Sequence, residues 1–233
     1  MSNSELLHVD NIHTYYGESH ILEGVSLQVN SGETVAVLGR NGAGKTTLLR
    51  SILHLTPPRT GTVTLKGADV TGSATHEISK RGVGWIPEKR RVFSQLSVKE
   101  NLKMAIPSDI DEDERLADVY ERFSDLKETS EHNAGALSGG QQQMLAIGRC
   151  LVNDNDLLLV DEPTEGLAPQ IVSTVGDTLR ETANSKSLLL VEQNVSLAMD
   201  VADRCYVIDN GSIIGHGSVD DLDIDEVRAE VSV

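Results

Sequence analysis

The stretch Gly39-Arg40-Asn41-Gly42-Ala43-Gly44-Lys45-Thr46-Thr47 fits the pattern G-x-x-x-x-G-K-[ST]. Small residues at these positions let successive backbone N–H groups close round a phosphate, and a helix that starts there presents its N-terminus to the same charge. Lys45 would then reach the β and γ phosphates of a nucleoside triphosphate, and the Thr46 hydroxyl would ligate Mg²⁺. A second stretch, Leu157-Leu158-Leu159-Val160-Asp161-Glu162, is four apolar residues ending in two acids. A buried parallel strand of this kind delivers its last side chains to the end of a sheet where ligands sit. Asp161 would hold the Mg²⁺ through water there, and Glu162 would be the general base on the attacking water. A third stretch, Leu137-Ser138-Gly139-Gly140-Gln141, leads into Met144, Leu145, Ile147 and Leu151, spaced for one face of a helix. A serine and two glycines at a helix start make an anion-binding end, although alone they are also an ordinary helix cap.

The elements that must position these residues are legible as alternating β and helical patterns. Thr34 to Leu38 reads as a strand entering the glycine loop, and Leu48, Leu49, Ile52 and Leu53 as the apolar face of the helix leaving it. Two prolines should stop that helix at Thr56-Pro57-Pro58. Upstream, Leu7 to Val9 and Val25 to Val29 are short β-type runs punctuated by Gly17, Gly24 and Ser31-Gly32. Gly61 to Leu65 and Gly84 to Pro87 are further extended pieces. From Glu88 to Val152 the chain turns helical and acidic, including the hexad Asp109 to Glu114, which reads as solvated surface, with a divalent-metal site as the alternative. Core strands return at Leu157 to Val160 and Ser187 to Val191. Tyr206 to Asp209, Asn210-Gly211 and Ser212 to Ile214 suit a two-residue hairpin. The expected organisation is one α/β domain, with 1–87 and 153–233 as the core and 88–152 as an inserted helical subdomain.

Charge narrows the classes of partner. Twenty basic residues against 36 acidic ones leave a formal charge of −16, which repels nucleic acid and anionic lipid. An acidic, lysine-poor surface also suits a solvent of high salt, with ordinary solubility charge as the alternative. Cys150 and Cys205 stand apart, with no C-x-x-C, so neither a disulfide nor a zinc site is expected and a reducing compartment is the natural setting. The first ten residues lack a basic start and an apolar core and are read as carrying no signal peptide. The longest apolar runs are strand-sized, far below the ~20 residues of a spanning helix. Direct lipid insertion is therefore not expected. The seven histidines are scattered without metal-ligand spacing.

The three chemical stretches, in this order and spacing, resemble those of ATP-binding cassette (ABC) ATPases, and the resemblance spans essentially the whole chain. It implies a phosphate-loop, RecA-like α/β core with an N-terminal antiparallel β subdomain and an inserted helical signature subdomain. It also implies ATP and Mg²⁺ as cofactors, with two cassettes facing head to tail. Ser138, Gly139 and Gly140 of one would contact the γ-phosphate held by Lys45 and Thr46 of the other, within a signature running from Leu137 to Gln141. Tyr16, just before Gly17, matches the aromatic that stacks on adenine, the reading preferred to the alternative of strand packing.

Three positions depart from the wider family pattern. Glu88 stands where most members have the Mg²⁺-sensing glutamine, and a carboxylate can still ligate Mg²⁺. Gln193 stands where most have the switch histidine; it can donate a hydrogen bond to the γ-phosphate but carries no charge. Ala168 stands where an aspartate is usual. These departures, with Arg90-Arg91-Val92-Phe93 and Val191-Glu192-Gln193-Asn194, resemble the LivF-type subfamily of branched-chain amino-acid importers. That resemblance implies a second ATPase subunit of LivG type or a homodimer, two membrane permeases and, indirectly, an external solute-binding protein. It implies a peripheral place on the cytoplasmic face of the cell membrane, with the permease contact around Glu88 to Asn101. Urea or amide import by the same type of system is the alternative. A soluble ABC protein of DNA repair or translation would carry coiled-coil insertions, a second cassette or a basic surface. A phosphate-loop kinase would not need the third stretch.

Overall fold

The computed structural model describes residues 4–108 and 110–232. Asp109, the first acid of the hexad, and Met1 to Asn3 lie outside the described residues. From the N-terminus, β1 (Glu5–Tyr16) and β2 (Ser19–Asn30) form a hairpin, and β3 (Thr34–Leu38) runs through the glycine loop into α1 (Lys45–Ile52). Next, β4 (Thr60–Leu65) and β5 (Ala68–Asp69) complete an antiparallel sheet of order β2-β1-β4-β5. The two short runs expected in this region are instead twelve-residue strands. Gly24 does not end β2: Ile12 pairs with Val25 and His13 with Glu23, so Gly24 is an extra residue bulged out of the ladder. Helix α1 ends before the prolines, capped at Leu53, and His54 leaves the helical region with φ +54°.

The chain continues through α2 (Thr75–Lys80), β6 (Val83–Ile86), α3 (Val98–Lys103), α4 (Glu112–Arg122), α5 (Ser124–Glu128) and α6 (Gly139–Leu151). It then alternates β7 (Leu157–Asp161), α7 (Pro169–Ala183), β8 (Ser187–Glu192), α8 (Val195–Val201) and β9 (Arg204–Asp209), and closes with β10 (Ser212–Ser218) and α9 (Ile224–Ser232). The second sheet has the order β10-β9-β3-β8-β7-β6. Its pairings are parallel except for β10, which returns antiparallel on β9 through the Asn210-Gly211 turn. Because β8 lies between β3 and β7, the carboxyl ends of all three lie side by side. That edge receives the glycine loop, Asp161 and Gln193.

Both faces of this sheet are covered, which is why its strands are continuous apolar runs instead of alternating ones. Val35, Val37, Leu157, Leu159, Leu189 and Val191 point to one face, where Leu48, Leu49 and Ile52 of α1 join the antiparallel sheet in one cluster. Leu158, Val160, Leu188 and Leu190 point to the other and merge with apolar residues of α3 to α7. Ala36, Leu38, Cys205 and Val207 pack on that same side against α8 and α9. Burial pushes both thiols up to about 11, so neither is a ready nucleophile.

The helices between β6 and β7 are held by their own contacts. Leu102, Leu116, Val119, Phe123 and Leu126 are buried among them. Asn101, fully buried, ties the segment that leads in from β6. Its Nδ2 donates to the carbonyls of Phe93 (3.0 Å), Leu96 (3.3 Å) and Ser97 (2.9 Å), and its Oδ1 accepts from Phe93 N–H.

Candidate functional site

The glycine loop is shaped by what surrounds it. A Cβ on Gly39 would lie 2.4 Å from the Ile208 carbonyl oxygen, so only glycine fits against β9 there. Gly44 holds φ +110° at the N-terminus of α1, where a side chain would be both strained and driven against Leu22. Arg40, Asn41 and Gly42 are exposed at the rim, while Ala43, Lys45 and Thr47 are buried. The loop is therefore a fixed backbone cradle with Lys45 drawn inward and Arg40 left at the rim.

Lys45 is 3% exposed, and its Nζ donates to the carbonyls of Gly39 (2.7 Å) and Arg40 (2.9 Å) and to Glu162 Oε1 (2.9 Å). Thr46 Oγ1 donates to Asp161 Oδ1 at 2.9 Å. Each of the two acids at the end of β7 thus meets one of two consecutive residues at the start of α1. Glu162 sits at φ +43°, a left-handed conformation that a glutamate keeps only when its surroundings hold it. Burial raises the Asp161 carboxyl to about 6; the Thr46 hydrogen bond opposes this, the charges of Glu162 and Glu88 add to it, and Lys45 opposes it again. The same charge relation places Glu88 within the field of this site. Oxygen donors of a hydroxyl and a carboxylate, aimed at one another, are the set that a hard divalent cation takes.

Residues that the sequence reading left without a role support this edge. Glu192, buried at the end of β8, accepts Thr164 Oγ1 (2.7 Å) on one oxygen and the backbone N–H groups of Gln193 and Asn194 (both 3.0 Å) on the other. It locks the turn that carries Gln193 to the loop after Glu162. Burial holds its carboxyl above the usual range, with Glu162 adding to that and the three hydrogen bonds opposing it. An acid closing a second apolar strand was the available signal. Glu165, one turn beyond Glu162, is likewise raised, by desolvation first and then by Glu162.

A family model described as ABC transporter matches residues 22–165, which is more than half of the chain. The chain belongs to the ABC transporter family. It is 41% identical over 214 residues to a high-affinity branched-chain amino acid transport ATP-binding protein, BraG, of Pseudomonas aeruginosa, covering 91% of this chain and 92% of that one. It is 36% identical over 212 residues to a probable branched-chain amino acid transport ATP-binding protein, LivF, of Archaeoglobus fulgidus, covering 89% of each. Its fold superposes on MJ1267, an ATP-binding cassette of an ABC transporter, with a TM-score of 0.84, 26% identity and coverage of 98% and 99%.

In this ABC cassette the third stretch stands apart from the first two. Ser138 caps α6: its N–H donates to Gln141 Oε1 (3.0 Å) and its Oγ accepts from Gln141 N–H. Leu137 is nearly buried, Gly140 lies against Ile171, and Gly139 lies against the Arg90 guanidinium. Among the described residues, no hydrogen bond or ion pair joins 137–141 to 39–47. Tyr16 is 43% exposed at the end of β1, with the Arg50 guanidinium 6.0 Å from its ring centroid. Its neighbour Tyr15 is stacked on His20 and beneath Arg59, while the Tyr16 hydroxyl accepts from Thr56 Oγ1 (3.4 Å).

Proposed function

We infer that this cassette is the MgATP-hydrolysing subunit of an importer for branched-chain or other aliphatic amino acids. The observation that carries the reading is the paired meeting of Lys45 with Glu162 and of Thr46 with Asp161, in a chain related to transport ATP-binding proteins. Residues 39–47 cradle the phosphates, Tyr16 stacks on adenine, and Thr46, Asp161 and Glu88 surround Mg²⁺. The cation supplies charge neutralisation on the phosphoryl oxygens. Lys45 holds the β and γ phosphates, Glu162 orients and deprotonates the attacking water, and Gln193 donates to the γ-phosphate. Residues 137–141 of a second cassette close over the nucleotide from the other side, and 88–152 move as the unit that carries them.

The partners of this reading are a second ATPase subunit and two membrane permeases, with an external solute-binding protein acting through the permeases. The chain then sits on the cytoplasmic face of the membrane. No helix among the described residues is long and apolar enough to cross a bilayer. Phe93 within the Glu88 to Asn101 segment and Met104 just after it, 43% and 61% exposed, suit a permease contact. The test is ATP turnover by the purified chain together with capture of integral-membrane proteins on a tagged copy. Lys45→Ala lowers kcat at least ~100-fold, because the phosphate-binding cation is gone and Glu162, partly buried, is left without its partner. A rate within threefold of wild type would overturn the assignment of the loop.

A further inference from the structure

Arg90 is an arginine without a partner in a chain carrying an excess of acids. Its guanidinium makes no hydrogen bond or ion pair among the described residues, and its buried Nε is unsatisfied. The side chain lies across the start of α6: Nη1 is 3.2 Å and Nη2 3.5 Å from where a Cβ on Gly139 would stand. The backbone commits to this placement, since Arg90 and Arg91 both hold positive φ, +51° and +48°. Two successive non-glycine residues in that region persist only where the surroundings enforce them. A groove of about 280 Å³ opens beside it, lined by Lys89, Arg90, Arg91 and Gln142 and also by the acid Glu88.

The half-site at the glycine loop has one buried cation, Lys45, among several acids, and its other basic residue, Arg40, lies exposed at the rim. Lys45 faces Asp161, Glu162, Glu88 and Glu165 in its electrostatic surroundings, with Glu192 adjoining. Position 193 offers an uncharged amide. A γ-phosphoryl group in transfer gathers charge on its equatorial oxygens, and a guanidinium fork matches those oxygens better than any other side chain. The start of α6 is the part of the molecule that the functional reading brings to the γ-phosphate of a second cassette.

We propose that Arg90 is the cation of the signature half-site, carried beside Gly139 to the γ-phosphate bound by Lys45 of the facing cassette. This rests on the head-to-tail reading above. In the closed pair, Arg90 stands with the N–H groups of α6 on one side of the phosphate, and Lys45 on the other. No bond is made to it; its charge opposes the charge that develops as water attacks and ADP leaves.

The test is steady-state ATP hydrolysis by the full chain over a range of protein concentrations, with fluorescent-ATP binding measured on the dilute chain and thermal melts confirming folding. Arg90→Gln lowers kcat about 100-fold while nucleotide affinity of the dilute chain and the melting temperature stay unchanged. Arg90→Lys, which keeps the charge, retains kcat within about tenfold. Adding Gln193→His to Arg90→Gln restores at least tenfold, because a cationic donor returns to the same phosphate from the other chain. Arg90→Gln within twofold of wild type overturns the proposal, as does a loss that Gln193→His leaves untouched or one seen only with membrane partners present. If the wild-type rate per chain does not rise with concentration, the head-to-tail reading fails and the role of Arg90 falls with it. If it does rise and Arg90→Gln is neutral, the assignment of Arg90 alone is wrong.

Discussion

Asp161 carries the clearest electrostatic cost in the molecule. It is 1% exposed, beside two other acids, and is stabilised within the chain by the Thr46 hydroxyl and the Lys45 charge. A carboxyl held at about 6 instead of its ordinary 3.8 costs the folded state ~3 kcal/mol once ionised. The cost is fully present above the folded value, is relieved as pH falls from about 6 to about 4, and is absent below that, where the group is protonated folded and unfolded alike. Asp161→Asn, which still accepts the Thr46 bond, therefore stabilises the nucleotide-free chain by ~1–3 kcal/mol at pH 8 and by nothing near pH 3.5. Urea unfolding at the two pH values checks this; a gain equal at both would show that packing, and not charge, sets it. At this scale the sequence exposed the loop, Asp161 and Glu162, because their spacing is local. It did not expose Lys45 meeting Glu162, nor Thr164 meeting Glu192. Those pairs join residues far apart in the chain, and only the strand order brings them together.

Among the elements, the segment between β6 and α3 links the site to the helices that carry Ser138. It has no regular structure over most of its length, and Asn101 anchors it. Replacing Asn101 by alanine strands the carbonyls it satisfies and costs ~2–3 kcal/mol of stability, while ATP affinity of the isolated chain changes less than threefold. Denaturant titration and nucleotide binding on the same variant check both halves. Unchanged stability would mean that water or a neighbouring donor replaces the amide. The parallel strands were legible because burial on both faces makes them plain apolar runs. The β1–β2 hairpin was not read at its true length, because glycine is an ambiguous signal: Gly24 resembles a strand end in sequence yet acts as a bulge. Likewise α1 ends before Pro57, because the chain turns at Leu53 and His54 before the prolines are reached.

For the molecule as a whole, charge and pairing dominate. Many basic side chains on the surface are taken by single acids, such as Lys66 with Asp156, Lys103 with Glu112 and Arg122 with Glu181. The surplus acids repel one another, and salt screens that repulsion within about 10 Å at 0.1 M and 3 Å at 1 M. Raising KCl from 0.1 to 2 M should raise the melting temperature by about 5 °C or more; a flat response would return the acidic surface to ordinary solubility charge. The chain's central feature is that its phosphate cradle and its serine-glycine helix start stand apart on one molecule. The measurement that bears on this most directly is the mass in solution of Glu162→Gln with and without MgATP. With MgATP present the species should have twice the 25.2 kDa mass of the chain, and without it the mass of one chain. A variant that binds MgATP yet stays at one chain mass, beside a wild type whose rate per chain is independent of concentration, would contradict a site shared between two cassettes.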